Sequence, residues 1–208
     1  MEYLFLYLLL PFFILWCINE KIGLQLGIVV LITIWSIFIY RHLDLNIPGG
    51  MDISWVIIAV IFCGYLFLRG KIEALLVMGG YRAGMISGAA VSFLMILYIP
   101  NEEVLLTGGT MLGICAGYCL NKRYVGFKNA VSFNKTGILK YLFLFVRFLL
   151  GITGFAAIIL VIGKFIPLES ENINLYRFIH FALGGLWVSA AAPWIFVNLR
   201  LAGKEENE

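Results

Sequence analysis

Charge is what this sequence has least of. Only 13% of its 208 residues are Asp, Glu, Lys or Arg, about half the share of an ordinary soluble domain. With 62% hydrophobic residues and a mean hydropathy of +0.97, too little polar surface is left to cover an apolar core, which excludes a soluble globular protein. Histidine occurs only as His42 and His180. The cysteines are Cys17, Cys63, Cys115 and Cys119, all inside apolar runs. None has the His or acidic companions of a metal site, so they read as inert thiols, and no metal or cofactor is expected. No HExxH or GxSxG occurs, and no GxGxxG or P-loop follows a strand pattern. The zincin helix, the nucleophile elbow and the phosphate-cradling loops are thereby excluded. Basic residues are not interleaved with aromatics, so nucleic acid is not an expected partner. The opening MEYLFLYLLLPFFILWCI lacks a basic start and a small-residue cleavage site, and is expected to be a retained helix rather than a signal peptide.

What is present is a succession of apolar runs of membrane-crossing length. They predict an all-α polytopic transmembrane bundle forming one integral membrane domain over 1–208, with no soluble domain, low-complexity tract or internal repeat. About seven spans are expected, near 3–18, 22–40, 53–68, 83–99, 104–120, 148–165 and 175–199. Lys140 and Arg147 are seven apart and so share a helical face, which predicts a separate interfacial amphipathic helix over 138–147. Alternating the loops collects Lys21, Arg69, Lys71, Arg82, Lys122, Arg123, Lys128, Lys135, Arg200 and Lys204 on one side. The other side holds only Arg41, Lys164 and Arg177. Positive residues favour the cytoplasmic side, so the N-terminus is expected outside and the C-terminus in the cytoplasm. The longest polar run, NKRYVGFKNAVSFNKTG at 121–137, has four basic residues and no acidic one. It reads as a topology determinant that also touches anionic lipid.

Two glycine ladders stand out, Gly80-x3-Gly84-x3-Gly88 and Gly109-x3-Gly113-x3-Gly117. Small residues every four positions let helix backbones approach closely in lipid. Only Pro100, Asn101, Glu102 and Glu103 separate the two helices, so a tight antiparallel hairpin is expected, with homo-oligomerisation through the same stripe as the alternative. Pro193 should kink the last span, and Trp187 and Trp194 read as packing or interface anchors.

Three stretches resemble the longer bacterial members of the type-2 phosphatidic acid phosphatase superfamily. LLLPFFILWCINEKIGLQLGIVVLITIW looks like that family's first two spans. GICAGYCLNKRYVG, residues 113–126, looks like the helix end and basic belt of its C-terminal extension, and FIHFALGGLWVSAAAPWIFVNLRLAG like its closing helix. The resemblance implies a membrane protein acting on lipid phosphates or isoprenoid diphosphates, in a bacterial cytoplasmic membrane. It also implies three motifs: Lys-x6-Arg-Pro, Pro-Ser-Gly-His, and Ser-Arg-x5-His-x3-Asp. Their basic residues hold phosphate, the last His attacks phosphorus with the Asp orienting it, and the middle His protonates the leaving alkoxide. None of the three is intact in this sequence.

One fragment follows the last motif in part. In His42-x3-Asn46-Ile47-Pro48-Gly49-Gly50, His42 stands where the nucleophile would be and Asn46 where the orienting Asp would be, with Ser36 at the position of the Arg. Exchanging an orienting Asp for Asn costs about 10⁴-fold in a serine protease. The same loop reads first as an ordinary extracytoplasmic turn of Asn, Pro and Gly residues. Arg41, His42, Asn46, Lys164, Arg177 and His180 are the candidate lipid-phosphate ligands, although headgroup snorkelling accounts for Lys164 and Arg177 as well. The leading expectation is a non-catalytic relative, a pseudoenzyme that binds phosphorylated membrane lipids or another membrane protein. The alternatives are an active lipid phosphatase using His42 and a structural subunit packed through its glycine ladders.

Overall fold

The computed structural model describes residues 2–42, 60–61, 63–65, 85–97, 101–129, 138–165 and 172–204. Asn46, Gly80, Gly84, most of the expected third span, and the side chains of Arg41 and His42 lie outside the described residues.

The described chain is a helical bundle with a two-stranded clasp. Helix α1 (Glu2–Phe13) runs on into a π-turn at Ile14–Ile18. Asn19 then leaves the helical region, and its side chain accepts from the Ile22 amide at 3.1 Å, capping α2 (Glu20–His42) in the way that satisfies an orphan N-terminal donor. Helix α3 is Met85–Leu97. Asn101 caps α4 (Glu102–Leu120) by accepting from the Val104 amide at 2.9 Å, with Glu102 and Glu103 complementing the positive end of the helix dipole. Helix α4 continues as a π-turn at Asn121–Val125, which Gly126 ends in the left-handed region at φ 63°. Strand β1 (Phe127–Lys128) follows. Helix α5 (Ile138–Ala157) and its π-turn (Ile158–Ile162) come next, then α6 (Ile173–Leu186) with a π-turn at Trp187–Ala191, α7 (Ala192–Asn198), and strand β2 (Gly203–Lys204). Among the described residues, four helical stretches are long and apolar enough to cross a membrane: 20–40, 102–125, 138–162 and 173–198.

The ladder Gly109, Gly113 and Gly117 lies against α6 and its π-turn. A Cβ on Gly109 would meet Phe178 and Phe181, one on Gly113 would meet the Ala182 carbonyl, and one on Gly117 would meet Ser189. Gly185 answers from the other side against Thr110 and Ile114. The numbers climb together on both helices, so α4 and α6 are a parallel pair in backbone-to-backbone contact. This differs from the expected glycine-to-glycine hairpin. An antiparallel α3–α4 hairpin does form, but through Gly88 against Cys115 and Gly108 against Ser92 and Ile96, a different face of α4.

Pro193 is preceded by a register change in the helix. Proline has no N–H and crowds the carbonyl one turn back. The chain answers with the π-turn, in which the Ala192 amide bonds to Trp187. The Val188 carbonyl thereby loses its α-helical donor, and its π-register donor would be Pro193 itself. Trp16 fills the gap, donating its indole N–H to Val188 at 2.9 Å. Trp16 is fully buried among Phe12, Phe196 and Gly151. Trp187 packs on Gly154 and donates to the Gly151 carbonyl at 3.0 Å, whereas Trp194 stays exposed.

Helix α5 runs unbroken through 147 and 148. The separate helix expected over 138–147 is thus the first part of a longer one. Lys140 is exposed while Arg147 is buried, so the shared face passes from open surface to bundle interior within about 10 Å of helix axis.

Candidate functional site

Polar side chains gather at the two ends of the bundle. At one end stand the N-termini of the parallel pair α4 and α6, with the far end of α5. Here Arg177 on α6 binds Glu102 on α4, Nη1 to Oε2 at 3.1 Å, both side chains partly open to solvent. His180, one turn further on, is buried at 6% exposure. Its Nε2 lies 3.2 Å from the Ile158 carbonyl and its ring stacks on Phe181. Gly163 lets α5 pass, since a Cβ there would sit 3.3 Å from the imidazole. Lys164 is exposed beyond it. Of the candidate phosphate ligands, then, Arg177 is engaged by a carboxylate, His180 by a carbonyl between helices, and Lys164 is open. Helix α2 closes at Arg41 and His42.

The opposite end holds a buried cation that the sequence reading assigned to the interface. Arg147 is 0% exposed. Its Nε donates to the Leu201 carbonyl at 2.7 Å, Nη1 to Trp16 at 3.2 Å and Asn129 at 3.0 Å, and Nη2 to Leu201 again. The guanidinium also lies over the Phe127 ring at 6.0 Å. Each acceptor is there for a local reason. Helix α7 ends in a Schellman turn, with Arg200 N–H to Val197, Leu201 N–H to Phe196, and Arg200 itself left-handed at φ 58°. That turn presents the Leu201 carbonyl inward. Trp16 lies in the π-turn that ends α1, and Asn129 follows β1. Buried Asn121 steadies the belt by accepting from the Phe127 amide at 3.2 Å. The fork geometry of arginine suits this task, because one planar group reaches three acceptors at once.

Around this knot the basic residues form a collar. Strands β1 and β2 pair antiparallel, Phe127 with Lys204 and Lys128 with Gly203, joining the belt to the C-terminal turn. Lys122 lies 3.4 Å from Glu20 and over the Tyr118 ring. Lys21, Arg123, Lys128, Arg200 and Lys204 are exposed, with Arg123 stacked over Tyr124 at 5.1 Å. The parallel pair, the Arg147 knot and the β-clasp are all built mainly from the second half of the chain. Residues 105–204 match the family described as PAP2 superfamily phosphatase, transmembrane extension.

This stretch is similar to a PAP2 transmembrane extension. No curated protein and no solved structure was found to match the chain. Two of the three stretches that carry the resemblance, 113–126 and the closing helix, fall inside the PAP2 extension, and the opening stretch falls before it. Together with the apolar helices, this match supports an integral membrane protein. The signal for Arg147 was an arginine near the middle of an apolar run, where an ionisable side chain generally has a protein partner.

Proposed function

We propose that the chain is a seven-span protein of a bacterial cytoplasmic membrane, N-terminus outside and C-terminus cytoplasmic, that binds phosphorylated lipid or a partner membrane protein in place of phosphatase chemistry. The observation that supports this reading is how the PAP2 extension uses its ionisable groups. Arg147 is spent on three carbonyls, Arg177 on Glu102 and His180 on the Ile158 carbonyl, which is the economy of a scaffold. Partner capture through the Gly109–Gly113–Gly117 stripe is disfavoured, because that stripe is covered by α6.

The test is inorganic phosphate release by the purified protein in detergent micelles, from phosphatidic acid and from an isoprenoid diphosphate. His42→Ala is run alongside. The proposal predicts no release above background from either protein. Release that disappears in His42→Ala would establish the rival reading, a lipid phosphatase with His42 as nucleophile and Asn46 in the orienting position.

A further inference from the structure

The collar end offers more than a topology signal. Lys21, Arg123, Lys128, Arg200 and Lys204 are exposed around one rim, and they come from three separate stretches of chain. The β-clasp holds two of these stretches together, and Arg147 ties the same two to the end of α1. The acidic side chain described at this rim, Glu20, already faces Lys122. Leu120, Tyr124 and Leu199, close to these cations in the chain, and Trp194 on α7 are exposed apolar or amphipathic side chains. Tyr and Trp favour the headgroup level of a bilayer, and juxtamembrane Lys and Arg are drawn to anionic lipid.

We infer that this rim is a folded binding surface for anionic phospholipid headgroups, with the cations on the phosphate and the aromatic and leucine side chains on the acyl region. Amphiphile chemistry decides the occupant. A free phosphate ion or an acidic peptide would leave Leu120, Trp194 and Leu199 facing water, whereas a lipid covers both halves of the rim. The surface depends on the fold as well as on composition, since strand pairing places Lys128 and Lys204 on neighbouring rungs of the clasp from distant parts of the chain. The inference rests on the membrane reading of the chain and is independent of whether phosphatase chemistry is present.

The experiment uses the full chain in neutral detergent micelles, titrated with phosphatidylglycerol, phosphatidylcholine or inorganic phosphate. Bound lipid is counted by native mass spectrometry and stability is followed by thermal unfolding. Phosphatidylglycerol should bind and raise the melting temperature, while phosphatidylcholine and inorganic phosphate should do neither. The triple variant Arg123→Gln/Lys128→Gln/Lys204→Gln should bind phosphatidylglycerol roughly fivefold more weakly for each residue removed, about a hundredfold in all. Lys164→Gln, at the opposite end of the bundle, should leave binding unchanged. Should the triple variant fail to fold, the unaltered protein still decides the matter. Its affinity for phosphatidylglycerol must fall when salt rises from about 0.05 to about 0.5 M. Equal binding of both lipids, an equal response to inorganic phosphate, or an undiminished triple variant would overturn the inference. Phosphate release in the earlier assay would overturn the non-catalytic reading and leave this one standing.

Discussion

Replacing Arg147 by Met tests the knot that joins the beginning, middle and end of the chain. The substitution keeps an unbranched apolar stem and removes every donor. Three carbonyls, of Leu201, Trp16 and Asn129, then lose the bonds Arg147 supplies. A buried acceptor left unsatisfied costs about 1–3 kcal/mol, so the gross loss is about 3–9 kcal/mol. Against this, burying a guanidinium without a carboxylate partner carries a desolvation penalty of several kcal/mol, which Met does not incur. The net expectation is a loss of about 3 kcal/mol, roughly a hundredfold or more in the folding equilibrium. Unfolding by anionic detergent in mixed micelles, followed by tryptophan fluorescence, measures it. Hydrogen exchange locates it, with faster exchange predicted at 127–129 and 201–204 and little change along α4. Arg147→Lys should fall between the two, because a compact ammonium cannot span the same three acceptors. A Met variant as stable as the parent, with unchanged exchange at both segments, would refute the reasoning. It would mean that the guanidinium's burial costs as much as its bonds return.

Four further outcomes follow from the packing and the backbone. Gly113→Ala pushes a methyl into the Ala182 backbone and should cost about 1–3 kcal/mol. Gly27→Ala meets only the Pro11 side chain at 3.8 Å and should be near neutral in the same unfolding assay. Trp16→Phe strands the Val188 carbonyl and opens space against Gly151, with an expected loss of about 2–4 kcal/mol and exchange quickening at 187–193. Arg200→Gly relieves a left-handed non-glycine residue and should raise stability by about 1 kcal/mol, seen as a higher melting temperature.

The apolar helices were legible in the sequence because run length and composition carry them. What the helices touch was much less legible. The Gly109–Gly113–Gly117 ladder states that some backbone comes close, but a stripe of missing side chains does not name its partner. The nearest helix in sequence, α3, took the Gly108 and Cys115 face, and the stripe went to α6, whose own small residues Ala182, Gly185 and Ser189 complement it. Pro193 was visible as a disturbance, but what would reach the carbonyl it frees was not. That donor, Trp16, lies at the far end of the chain. Lys140 and Arg147 mislead for a similar reason: periodicity assigns them one face, and only the depth along the axis separates an open surface from the space under the C-terminal turn.

The candidate phosphate ligands were read as a group because they share one end of the bundle by span counting. Sharing an end is a weaker condition than sharing a site. A cation in apolar surroundings is stabilised by the first good acceptor within reach, and for Arg177 that acceptor is Glu102, fixed opposite it by the register of the parallel pair. His180 is settled likewise by Ile158, a carbonyl in the π-turn of α5. The knot at the other end obeys the same rule with a different result, since Trp16 lies before the PAP2 extension and still supplies both an acceptor for Arg147 and the donor for Val188. The core of the extension is therefore completed by the π-turn that follows α1.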